Sequence, residues 1–158
     1  MKTKKTKKLN ERKTLRHWKT KIFGFPVVID EVEAFRFEDE WVPDVDYTAL
    51  GDELVDQLLD SHRSLTGSQM RFVRKHLHLK QEDLASLIGK EQPHIARSEA
   101  RKNDPAFESY ADQFTLILQL KSKWISMKKG KTKPSWEDIF SAEEFENEVE
   151  PEVQLKTA

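Results

Sequence analysis

Cysteine is absent from all 158 residues, which excludes a disulfide framework, a thiolate zinc site and a cysteine nucleophile at once. Glycine and proline are sparse, at five and six, too few for a collagenous or low-complexity chain. No apolar run approaches the roughly 20 residues of a membrane-spanning helix, and the lysine-rich start lacks the apolar stretch of a secretory signal. A soluble, cytoplasmic protein without membrane contact is the expectation. Catalytic frames are missing too. His76 and His78, two residues apart near a helix end, have no carboxylate or cysteine at a fitting distance and read as surface residues rather than metal ligands. Gly130–Thr132 spells "GKT", yet the position where a phosphate loop needs its first glycine is Ile125. No nucleophile or paired-carboxylate context is present, so neither enzyme activity nor a metal or cofactor is expected.

What the chain has in abundance is charge, sorted into blocks. Residues 1–21 carry ten basic and one acidic side chain (+9), residues 22–60 one and twelve (−11), residues 61–134 fifteen and seven (+8), and residues 135–158 one and eight (−7). The net charge of −1 therefore conceals two segments suited to phosphate and two suited to a basic partner.

Composition shifts divide the chain into four parts. Residues 1–21 have little apolar periodicity and are expected to be a basic flexible arm. Residues 22–47 are rich in Val, Ile and Phe and suggest a small β-rich element of two short strands reversing at Asp30-Glu31. Residues 48–128 turn helical. Leu50, Leu54, Val55, Leu58 and Leu59 share one stripe, predicting a helix over Thr48–Ser61. Thr66 and Gln69 are spaced as a capping box, with Leu65 and Met70 at the staple positions. The helix they start should place Met70, Val73 and Leu77 inward and Arg71, Arg74 and Lys75 outward. Helices over Gln81–Ile88 and Gln92–Ala100 follow, the second with Pro93 at an early position that tolerates it. Asp104-Pro105 signals another start, and Phe107, Tyr110, Phe114, Ile117, Leu118 and Trp124 form the stripe of a long helix ending near Lys128. Residues 129–158 read as a linker, a short helix begun by Ser135 and Asp138 with Trp136, Ile139, Phe140 and Phe145 on its apolar face, and an acidic tail.

The most informative stretch is "QEDLASLIGKEQPHIARSE", Gln81–Glu99. Leu84, Ala85 and Ile88 form the buried side of its first helix. Gly89 stands where a left-handed turn penalises a Cβ. Ile95 is the single large apolar anchor of the second helix, whose other faces stay free. The pattern Q-E-D-L-A-x-x-I-G-x-x-Q-x-x-I-x-R-x-E resembles the Xre/Cro-type helix-turn-helix family. With the preceding "LTGSQMRFVRKHLHL" and "GFPVVIDEVEAF", the chain is also similar to MqsA/HigA-type antitoxins, in the branch with a cysteine-free N-terminal region.

This resemblance covers roughly residues 22–120. It implies a mainly α fold: a five-helix domain of the Xre/lambda-repressor kind with a small N-terminal β element and charged tails. It implies base contacts by Gln92, His94 and Arg97, for which the chemistry is apt: glutamine can pair bidentately with adenine and arginine with guanine. Phosphate contacts would fall to Gln81, Arg71, Arg74, Lys75, Lys90, Arg101 and Lys102. The chain departs from the family pattern at Lys90, Glu91, Ala96, Ser98 and Ala100-Arg101. The resemblance further implies a homodimer on palindromic operator DNA that represses its own operon and neutralises a basic, RNase-like toxin. A phage or mobile-element repressor without a toxin, and an adaptor whose helical hairpin binds protein, are the alternative readings.

Overall fold

The computed structural model describes residues 11–61, 63–129 and 153–155. Within them the order is β1 (Arg12–Thr20), β2 (Val27–Phe37), β3 (Glu40–Pro43), α1 (Tyr47–Asp60), α2 (Gly67–His76), α3 (Gln81–Ile88), α4 (Gln92–Glu99), α5 (Tyr110–Lys128) and β4 (Val153–Leu155). The described residues are mainly helical, with five helices and a small sheet at the N-terminal end.

The sheet departs from the sequence expectation in three ways. First, Arg12–Thr20 are a strand rather than part of a flexible arm. β1 runs antiparallel to β2 from Arg12↔Phe35 to Thr20↔Val27, and its basic side chains meet acidic ones of β2 and of the loop between β3 and α1. Arg16 lies 3.9 Å from Glu31, Arg12 3.0 Å from Asp44, and the Thr14 hydroxyl donates to Glu33 at 2.7 Å. Such exposed pairs contribute little each. The ladder and Trp18, packed on the core, hold the strand. Second, β2 passes straight through Asp30-Glu31, and the reversal comes at Glu38-Asp39, with Glu38 at φ 55. Third, the expected acidic tail contributes β4, which pairs in parallel with Val27–Ile29 of β2. Leu155 is 1 % exposed there and joins the core. β2 is therefore central, with β1 along one edge.

Helix starts follow the local chemistry. Asp46 caps α1 by accepting from the Thr48 and Ala49 amides, and Thr66 and Gln69 form the expected capping box on α2. Leu50, Leu54, Val55, Leu58 and Leu59 are buried on one face of α1, and Met70, Val73 and Leu77 on α2 or just after it. Between α3 and α4, Gly89 adopts φ 69, ψ 34, the left-handed conformation expected of it.

α5 differs. It begins at Tyr110, capped by Ser109, not at Asp104-Pro105. The earlier segment is occupied elsewhere: Pro105 bridges Thr66, and the Gly67 and Ser68 amides donate to the Asp104 and Lys102 carbonyls. These bonds satisfy the open end of α2 with backbone from beyond α4. Moving the start rotates the buried stripe to Gln113, Leu116, Ile117, Leu120, Lys121 and Trp124, leaving Tyr110 exposed. The short helix expected after Ser135 lies outside the described residues.

Candidate functional site

α3 and α4 form a tight pair whose second helix keeps one side open. Ile95 is fully buried and anchors α4. Ser98 turns inward, its hydroxyl donating to the His94 carbonyl at 2.9 Å. Pro93, Arg97 and Ala100 are exposed, and Gln92 and Ala96 are half-buried beside them. Their spacing of three and four places them on one helical face. Glu91 occupies the N-cap position of α4 without a side-chain cap hydrogen bond.

A chain of polar side chains fixes that face relative to α2 and α3. Arg74 of α2 forks onto Glu99 of α4 through Nε and Nη2, and its Nη1 donates to the Leu79 carbonyl at 2.8 Å. Both side chains are buried, at 9 % and 5 % exposure. Gln81, at the start of α3, donates to Glu99 at 2.9 Å and accepts from Gln92, at the start of α4, at 2.7 Å. The four residues thus link three helices. Gln92 keeps its carbonyl oxygen and one amide hydrogen outside this chain, which leaves it a donor and an acceptor side by side.

The residues predicted from sequence divide accordingly. Gln81 and Gln92 are half-buried and bonded to each other where α3 and α4 begin, and Arg97 is exposed on α4. His94 is half-buried, its ring stacked on buried Phe107 at 5.5 Å and 17°, a contact that braces α4. Arg74 is likewise turned in, held by Glu99. Lys90 pairs with Asp112 at 3.2 Å and Arg101 with Glu108 at 3.4 Å, which ties both toward α5 and its leading loop. Arg71, Lys75 and Lys102 are exposed, and among the described residues none has an ion-pair partner.

Glu99 was not singled out from the sequence, although a signal existed. It lies four residues after Ile95, the buried anchor, and an acid on that face demands a buried cation. His76 is not a plain surface residue either: it bonds Asp52 at 2.6 Å and packs between Phe72 and Trp124. Among the described residues no group of three potential ligands could hold a metal, and no helix is long and apolar enough to cross a membrane.

Compared with protein-family models, curated proteins and solved structures, the chain matches none.

Proposed function

We propose that the protein is a sequence-specific binder of double-stranded DNA, with α3 and α4 acting as a helix-turn-helix of the Xre/Cro kind. One observation carries this reading: the Arg74–Glu99–Gln81–Gln92 chain ties α4 to α2 and α3 while leaving Pro93, Arg97 and Ala100 exposed and Gln92 half-buried beside them. A helix tied to its neighbours and exposed along one side suits insertion into a major groove. In this reading Gln92 and Arg97 meet base edges, each good bidentate pair adding about 1–3 kcal/mol of discrimination. Arg71, Lys75 and Lys102 meet phosphates. His94 and Arg74 are assigned to support of α4, not to DNA contact.

A single α4 reaches few base pairs, so a two-fold dimer on a palindromic operator completes the proposal. Autorepression and neutralisation of a basic toxin extend it on the strength of the resemblance. Part of the −11 block already faces β1 within the sheet, so the exposed acids of α1 and those of residues 135–158 are the better mask for a basic surface.

Titration of a fluorescent duplex from just upstream of the gene, against a random duplex of equal length, tests the reading. Wild type should prefer the upstream fragment, and Arg97→Ala should lose that preference by about tenfold or more. Equal binding of both duplexes by wild type would refute it.

A further inference from the structure

A concave groove of about 1260 Å³ opens beside α4. Its floor includes Arg71 and Lys75 of α2, its near wall Ala96 and Ala100, and its far wall Ile22–Gly24 from the turn between β1 and β2. Its electrostatics are one-sided. The two acids that line it are engaged: Asp52 by His76, and Glu99 by Arg74 and Gln81. Arg71, Lys75 and Lys102, which also line it, are exposed cations without an ion pair among the described residues. On the α4 side, alanines leave nothing long to obstruct an approaching strand.

The turn that makes the far wall is stapled to the helix carrying the cations. Phe23 and Phe25 both pack edge-on against Phe72, at 5.2 and 5.6 Å between centroids. The Gly24 amide donates to the Lys21 carbonyl at 2.9 Å, closing the turn, with Gly24 at φ 95. Lys19 and Lys21 are exposed on its β1 side, and Ile22 at its tip is 59 % exposed.

We propose that this groove seats the sugar–phosphate backbone of duplex DNA flanking the bases read by α4, with the β1–β2 turn as a second DNA-contacting element. Lys19 and Lys21 neutralise phosphates on the outer side, and Ile22 packs against deoxyribose. A polyanion matches a groove lined by cations that have no ion pair among the described residues. The proposal rests on the α4 reading for its register, yet it assigns the β element a role in DNA binding that α3 and α4 alone do not require.

The test measures affinity against salt for the upstream and the random duplex, using wild type, Arg97→Ala and the double variant Lys19→Gln, Lys21→Gln, with poly-glutamate as an acidic-peptide probe. Thermal unfolding checks that the double variant is folded; both lysines are exposed and have no ion pair among the described residues, so its melting should match wild type. Loss of two phosphate contacts should lower the slope of log K on log salt by about 1.8 on both duplexes, with sequence preference intact. An unchanged slope in the folded double variant overturns the proposal while leaving the α4 reading standing. A flattened slope with preference insensitive to Arg97→Ala supports the groove and removes the α4 reading. Binding of poly-glutamate but neither duplex overturns both, making the groove a seat for an acidic peptide.

Discussion

Gly67 has no room for a side chain. A Cβ there would meet the Ser98 carbonyl oxygen at 2.4 Å, the Glu99 carbonyl oxygen at 2.8 Å and the Lys102 amide at 2.9 Å, all backbone atoms that cannot swing aside. Gly67→Ala should therefore cost about 3 kcal/mol, read as a lower denaturation midpoint. Gly51 gives the contrast: a Cβ there meets only the His76 ring, at 2.8 Å, which can move at the expense of its bond to Asp52. Gly51→Ala should cost clearly less, and equal costs would show that α2 and α4 are not in backbone contact at Gly67. Residue identities were legible in sequence where conformation selects them, as at Gly89, and less so where direction matters. Arg74 follows buried Val73 and lies four residues from buried Met70, so the helical period alone puts it near the inward edge. Residue type argued for solvent, and the partner that decides the matter is 25 positions away.

Between elements, the pairing of Arg74 with Glu99 is the tie that joins α2 to α4. Glu99→Ala leaves a buried guanidinium without its counter-charge and Gln81 without its acceptor, at about 3–5 kcal/mol. The double variant Arg74→Met, Glu99→Ala should cost less than the sum of the two single ones, because the first loss already removes what the second would strand. Strict additivity in denaturant midpoints would contradict the clamp. Helices were the legible elements: capping side chains act within three or four residues, so Thr66 with Gln69, and the turn at Gly89, announce themselves locally. Strands were not. "RKTLRHWKT" has Leu15 and Trp18 as its only large apolar residues, and what makes it a strand is the ladder to β2, a partner that begins only after the next turn. Asp104-Pro105 misled for the complementary reason: its backbone is taken by the start of α2, and α5 begins only at Tyr110.

The sheet is drawn together on β2, which takes β1 along one edge and shares its other edge between β3 and β4. Leu155 is the apolar peg of that closure, and Leu155→Ala should cost about 2–5 kcal/mol; an unchanged melting temperature would mean that β4 adds nothing to the core. None of this was legible in the acidic tail, since three residues of pairing carry no periodicity to detect. The charge blocks that stood out in sequence as separate invitations to partners are partly each other's partners once β1 lies on β2. The closure also sets a clock. Val27 and Val153 are 126 positions apart, so at a synthesis rate of about 5–20 residues per second β2 waits roughly 6–25 s for its last neighbour. Through that interval the Val27–Ile29 edge is a bare strand edge, open to pairing with strands of other nascent chains until the last residues of the sheet are made.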